Sequence, residues 1–450
     1  MKILIIGGSD AGISAGLRIK ELDPNIDVNI LLRDKFPNYS ICGLPFLLSG
    51  ETSDQVQLAH RSNEQLVDAG LNVHQNLNVV SIDHTNGRVF TNDKKDFSYD
   101  NLILATGARS RHPELEGANL PGVFTLRWMG DAIRMKEFME TKSPRRALIV
   151  GGGYIGLEMA DALHRKGLDV VVIEHNPAVL RTVHAEFGNE VADNLDLRGI
   201  KVQTKLRVTS IKSLNEGLDA ELSDGQHINT DLVLLAVGAV PSNELAESAG
   251  LDLGTGGAIK VNQQMSTSVQ GIWAAGDCAE TYHRLLGRNT YMPLGTNAHK
   301  QGRVSGENAI GGNRLYAGTL GTQVVKVFDL VIARTGLRKE EAMKEAYQPI
   351  TVPFQCDTHK AYYPQAGKLK FRITGDKRDG KLLGAQMIGP WKHEVSKRLD
   401  TFANALFHGM SVDSISDLDL SYTPPLSSPW DPIQMAAQAW CNELRTRSST

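Results

Sequence analysis

Arg146-Ala147-Leu148-Ile149-Val150-Gly151-Gly152-Gly153-Tyr154-Ile155-Gly156-Leu157-Glu158 is the stretch on which the fold turns. An apolar run enters a turn with glycine at 151, 153 and 156, and a helical pattern follows to about Lys166. This is the G-x-G-x-x-G fingerprint of a dinucleotide site. The first glycine permits the tight turn, the second lets backbone approach a pyrophosphate, and the third lets helix pack on strand. Unpaired N–H groups at the helix start then attract the phosphates. Val170–Ile173 reads as the next strand and ends in Glu174. A carboxylate there accepts from both ribose hydroxyls of NAD and repels a 2′-phosphate, so the second site leans to NADH. His175 and Arg181 lie close by and soften that preference.

The N-terminus repeats the layout. Lys2–Ile6 reads as a strand, Gly7-Gly8-Ser9-Asp10-Ala11-Gly12 as the turn, and a helix runs through Leu22. Asp27–Arg33 reads as the second strand, and Asp34 is the candidate ribose acid. Ser9 replaces the middle glycine. Two such units predict an α/β fold with two Rossmann-like domains. Tyr99–Gly107 reads as a strand ending in a tight turn, and Thr267–Asp277 as a strand ending in an acid.

Composition bounds the rest. A length of 450 residues suggests about two to four domains at roughly 100–200 residues each. A formal net charge of −3, without a dense Lys/Arg cluster, predicts no nucleic-acid partner. No apolar run reaches the roughly 18 residues of a membrane span. The opening apolar residues lead into a glycine turn and do not read as a signal peptide, so a cytoplasmic location is expected. The four cysteines are Cys42, Cys278, Cys356 and Cys441. None pairs at C-x-x-C or C-x₄-C spacing, so neither a metal site nor a structural disulfide is expected.

Taken in order, these motifs resemble the pyridine nucleotide–disulfide oxidoreductase family over nearly the whole chain. The resemblance implies FAD at the first fingerprint and NAD(P)H at the second. It assigns Gly7, Gly8, Ser9, Ala11, Gly12, Asp34, Ala105, Thr106, Gly107, Asp277 and Thr296 to FAD. It assigns Gly151, Gly153, Tyr154, Ile155, Gly156, Glu158, Glu174 and Gly238 to the nicotinamide cofactor, with Tyr154 as a gating aromatic and Glu158 near the nicotinamide. The FAD domain is expected to be split, over residues 1–113 and 251–320, around an NAD(P)H domain over 114–250.

From 321 to 450 the pattern is that of an α+β dimerisation domain. Val324–Phe328, Val331–Thr335, Gly367–Ile373 and Leu382–Gly389 read as strands, and Val395–His408 as a helix. Asp419-Leu-Ser-Tyr422-Thr-Pro424-Pro425 is similar to the C-terminal signature of CoA-disulfide reductases, NADH oxidases and NADH peroxidases. A homodimer is implied.

Ser40-Ile41-Cys42-Gly43-Leu44-Pro45-Phe46 resembles the single-cysteine branch of that family. A lone cysteine beside a flavin forms a sulfenic acid or a mixed disulfide with a small thiol. A helix starting near Leu44-Pro45 is expected to lower the thiol pKa. The resemblance implies an NAD(P)H-dependent flavoprotein that reduces a small disulfide or persulfide, CoA-linked ones first. It also implies Tyr363 and Tyr422 as acids on the leaving thiol. The alternatives are an NADH oxidase acting on O₂ or peroxide, and a donor of electrons to a protein, metalloid or quinone. Three departures stand out. Asp10 replaces the histidine of peroxidases and oxidases, Ile41 replaces an asparagine, and the Asp34–Cys42 segment is about two residues short against the loop-length pattern. Glu21 also stands where a basic CoA contact is usual.

Overall fold

The computed structural model describes residues 1–448. Lys2–Ile6 is the central strand of a five-stranded parallel sheet. The order is Ile272–Ala274, Asn101–Leu104, Lys2–Ile6, Asp27–Leu31, Asn72–His74. Ile3 to Ile6 are buried, as strands covered on both faces require, which is why they read as one apolar run. Arg146–Val150 is central to a second parallel sheet, ordered Lys201–Thr204, Asp169–Glu174, Arg146–Val150, Leu232–Leu235, Val123–Phe124. The strand Ile272–Ala274, which follows the second sheet in sequence, completes the first.

The helix Asp10–Leu22 packs on the helix Gly295–Ala309. Glycine makes that approach possible. A Cβ on Gly302 would stand 2.2 Å from the Ala11 carbonyl oxygen, and one on Gly306 would stand 2.4 Å from that of Ala15. Each parallel sheet also has a three-stranded antiparallel companion, Val79–Asp83 to Asp96–Ser98 and Val208–Ser213 to His227–Thr230. These strands, three to six residues long, are too short to stand out as patterns in the sequence.

The third unit is a five-stranded antiparallel sheet, ordered Gln323–Val327, Leu330–Gly336, Leu382–Pro390, Lys368–Asp376, Pro349–Asp357. Four of these strands were expected, as was the helix, observed at Val395–Phe407. Pro349–Asp357 was not, because its two prolines break the pattern; it lies at the sheet edge, where a missing N–H is tolerated. The helix Pro432–Ser448 was also missed, although Asp431 caps it by accepting from the Ile433 N–H at 2.8 Å. Phe371, Phe402 and Trp440 fill the core between sheet and helices.

Candidate functional site

Two phosphate cradles face the ends of the central strands. Gly7 has φ 114° and Gly151 φ 110°. A Cβ on Gly7 would stand 2.0 Å from the Ala105 carbonyl oxygen, and one on Gly151 would stand 2.4 Å from that of Ala236. Gly12 and Gly156 each sit so close to the preceding turn that a Cβ would meet its carbonyl at 1.9 Å. Ser9 and Gly153 occupy the same position before their helices, both with extended backbone. Ser9 makes no side-chain cap, and nothing lies within 4 Å of where a Gly153 Cβ would point. Neither helix start is capped by a side chain, so the first N–H groups of both remain for a phosphate, and the cradles fit two dinucleotides.

The two units differ at the ribose position. Val150 pairs with Ile173, and the next residue is Glu174. Glu174 is buried; its carboxylate accepts from the Gly152 N–H at 2.8 Å and from the Asn176 backbone and side-chain N–H groups at 2.7 and 2.6 Å. In the first unit Ile6 pairs with Leu31, and the next residue is Leu32. Its methyl carbons lie 3.2–3.4 Å from where a Gly8 Cβ would be. Leu32 thus holds the place that Glu174 holds in the second unit. Asp34, the residue expected there, comes two positions later and accepts from the Phe36 N–H at 2.9 Å. The apparent two-residue shortfall before Cys42 is this offset of the acid.

Between the cradles lies Cys42, in a 3-10 turn over Ile41–Gly43. The helix that follows, Leu44–Ser49, is only six residues long. Its leucines 44, 47 and 48 pack into a core with Leu157 and Met159 of the second unit and Val325 and Val327 of the third. Cys42 is exposed by area, yet protein surrounds its sulfur. Burial pushes the thiol up, Glu158, Asp10 and Asp277 add to this, and Arg127 opposes it. The expected lowering by the helix is corrected: three carboxylates face the sulfur against one guanidinium.

Those neighbours come from both nucleotide units. Asp10 opens the helix Asp10–Leu22, and its carboxyl is raised by burial, against His60 and His299. A Gly295 Cβ would stand 3.4 Å from its Oδ2, so the first turn of the second helix, with Thr296, comes beside it. Asp277 follows Gly276, whose Cβ would meet that of Ala11 at 2.8 Å. Its carboxylate accepts from the Arg127 guanidinium, both side chains being largely buried. Arg127 was missed in the sequence, where no motif marks it. Thr106 donates to the Ser242 carbonyl at 2.7 Å, and Gly107, at φ 70°, lies against Trp128.

In the second unit Glu158 is pushed up to about 7, first by burial, with Lys326 opposing and Asp161 adding. The Tyr154 hydroxyl accepts from Thr182 Oγ1 at 3.0 Å, and burial raises its pKa. Arg334 of the third unit donates to the Thr182 carbonyl at 2.6 Å and so backs the same loop. Ile155 is part-exposed beside Tyr154, and Gly238 takes φ 109° with open space around it.

The other cysteines stand apart. Cys278 is fully buried, and Cys356 and Cys441 belong to the core of the third unit. Tyr363 packs edge-on against His359. Tyr422 interacts instead with Tyr362; partial loss of solvent and that phenol raise its pKa, although the side chain stays exposed. Tyr362 was not singled out in the sequence. Among the described residues no His/Cys/Asp/Glu group forms a metal site, and no helix is long and apolar enough to cross a membrane.

Comparison with known proteins agrees with this geometry. The pyridine nucleotide-disulphide oxidoreductase model matches residues 1–302, and the dimerisation-domain model of the same family matches residues 322–432. An NAD(P)H coenzyme A polysulfide/persulfide reductase of Pyrococcus horikoshii is 35% identical over 441 residues, covering 97% of this chain and 98% of the relative. An NADH oxidase of Methanocaldococcus jannaschii is 31% identical over 454 residues, covering 99% of this chain and 100% of the relative. The solved NAD-dependent persulfide reductase from A. fulgidus superposes with a TM-score of 0.95 at 33% identity, over 99% of this chain and 84% of that one. The chain belongs to the pyridine nucleotide-disulphide oxidoreductase family and is an NAD(P)H-dependent flavoprotein oxidoreductase.

Proposed function

We propose that this enzyme carries two electrons from NAD(P)H through FAD and Cys42 to a small disulfide or persulfide, with CoA-linked substrates first. The observation that carries the reading is the position of Cys42: a single cysteine whose sulfur senses Asp10 and Asp277 of one nucleotide unit and Glu158 and Arg127 of the other. FAD belongs to residues 1–113 and 251–320, NAD(P)H to 114–250, and residues 321–450 form the homodimer. Glu174 favours NADH, since a 2′-phosphate would meet its carboxylate.

FAD, when bound, supplies the two-electron relay between nicotinamide and sulfur. The Cys42 thiolate attacks one sulfur of R–S–S–R′. That S–S bond breaks, a Cys42–S–S–R bond forms, and R′S⁻ leaves. A phenol of the Tyr362–Tyr422 pair, presented by a second copy of the chain, protonates the leaving sulfur and is reprotonated by water. The two electrons of NAD(P)H then cleave the mixed disulfide to the Cys42 thiolate and RSH. The sum is NAD(P)H + H⁺ + RSSR′ → NAD(P)⁺ + RSH + R′SH. Glu158, titrating near neutrality, holds or releases a proton beside the sulfur.

The rival reading sends electrons to O₂, as the name of the M. jannaschii relative suggests. Replacing Cys42 with Ser is expected to leave FAD bound and to abolish NADH-dependent reduction of CoA disulfide. Undiminished reduction by Cys42→Ser would sink the assignment.

A further inference from the structure

The Tyr362–Tyr422 pair is built from two segments without regular structure. Tyr362 rides on the loop between the strands Pro349–Asp357 and Lys368–Asp376. Tyr422 rides on the stretch between the short helix Val412–Ser416 and the helix Pro432–Ser448. Both phenols are exposed, and neither has an element of its own to fix it.

Both segments meet one buried side chain. Arg398, in the first turn of the helix Val395–Phe407, donates through Nη2 to the Thr358 carbonyl at 3.1 Å and to the Leu426 carbonyl at 2.9 Å. Its Nη1 donates to Asp431 Oδ2 at 3.1 Å. Thr358 precedes Tyr362 in its loop, and Leu426 follows Tyr422 in its segment, so one guanidinium bridges the two chains that carry the phenols. The Arg398 and Asp431 side chains are each 8% exposed. Asp431 is itself held, accepting from Ser427 Oγ at 2.5 Å and from the Ile433 N–H at 2.8 Å. On the other side, Thr358 Oγ1 accepts from the Gly367 N–H at 3.0 Å and closes the base of the Tyr362 loop.

A buried ion pair of this kind adds little net stability over an apolar pair, because desolvation offsets the attraction. What it supplies is geometry. The guanidinium is a rigid planar fork whose donors point in fixed directions, and an ammonium cannot serve two carbonyls and a carboxylate in that arrangement.

We propose that Arg398 is the positioning residue of the phenol pair: it registers the Tyr362 loop against the Tyr422 segment and so sets where a phenol offers its proton to the departing sulfur. This rests on the reading that the phenols serve the sulfur chemistry. Arg398 touches neither substrate nor cofactor; it acts through the two backbones it joins.

The test uses the FAD-loaded dimer, NADH and CoA disulfide, with stopped-flow absorbance separating reduction of the enzyme from its reoxidation. Arg398→Lys keeps a cation opposite Asp431 and removes the fork. Reoxidation by CoA disulfide is expected to slow about 10- to 100-fold, the effect of misplacing a catalytic group by about 1 Å. Reduction by NADH and the dimer mass should not change, and the alkaline limb of the kcat–pH profile should move. In a Tyr362→Phe/Tyr422→Phe background, Arg398→Lys should cost nothing further. Wild-type reoxidation with an unmoved pH profile overturns the proposal, as does an equal further loss in the Phe background. If the double Phe variant itself reoxidises at the wild-type rate, the reading of the phenols fails, and the positioning role with it. Should Arg398→Lys not assemble, Ser427→Ala loosens Asp431 alone. A smaller slowing in the same half-reaction is then expected, and its absence counts against the clamp.

Discussion

Leu32 and Glu174 show how one residue distinguishes two otherwise matching sites. Both follow the last paired residue of their strand, and both lie against the second glycine of their fingerprint. Glu174 fits there with its carboxylate bonded to the Gly152 N–H. The same backbone geometry at Leu32 predicts that Leu32→Glu folds and gains a ribose acceptor. A hydrogen bond to a charged group contributes about 1.5–3 kcal/mol. FAD titrated into apoprotein should therefore bind about tenfold more tightly or better. An unchanged dissociation constant would remove Leu32 from the ribose site. Glu158 makes a second prediction. Below about pH 4.5 its carboxyl is neutral in both folded and unfolded chains and costs nothing. From there to about 7 the unfolded chain ionises while the folded one stays protonated, so stability falls with rising pH. The loss levels off above about 7 at an order-of-magnitude 3 kcal/mol. Glu158→Gln should flatten that dependence in urea unfolding at pH 5 and pH 8; an identical pH slope would contradict the assignment.

At the scale of elements, glycine lets the helices Asp10–Leu22 and Gly295–Ala309 pack backbone against backbone. Gly302→Ala would drive a methyl into the Ala11 carbonyl. The expected cost is about 1–3 kcal/mol, the range for overpacking, visible as a lower Tm and weaker FAD retention. A wild-type Tm would mean that the helices separate at no cost. This contact was not legible in the sequence, because the helix Gly295–Ala309 is polar enough to lack a clear apolar stripe. What was legible follows from regular patterns. The fingerprint turns, the buried parallel strands and four strands of the third sheet were read because glycine spacing and apolar runs reflect local geometry. The edge strand Pro349–Asp357 was hidden by its prolines, and the short antiparallel strands by their length. Of the candidate site, Cys42, Glu158 and Asp277 stand in motifs, and the fold brings them near one another. Arg127, Arg398 and Tyr362 stand in none, and each meets a partner distant in sequence that only the folded chain brings near. Asp34 reads as the ribose acid because the sequence alone does not show that the strand register ends at Leu31.

Across the whole molecule, the three units are tied where the chemistry is proposed to occur. Asp161, on the same helix as Tyr154 and Glu158, accepts from the Phe328 N–H of the third unit at 2.8 Å. Lys370 and Glu190 pair across the same boundary at 2.7 Å, and Arg372 pairs there with Glu186. Arg334 and Arg338 hold the loop behind Tyr154 through the carbonyls of Arg181 and Thr182. The third unit, the dimerisation domain of its family, therefore also supports the helix and loop around Tyr154 and Glu158. The leading claim, that electrons leave through Cys42, is tested most directly by anaerobic titration of the FAD-loaded dimer with NADH, followed by CoA disulfide, with the visible spectrum recorded throughout. A long-wavelength charge-transfer band is expected on reduction, from the Cys42 thiolate against the flavin, and the disulfide should erase it. Flavin bleaching without that band, untouched by the disulfide and reversed only by air, would contradict it and favour direct reduction of O₂.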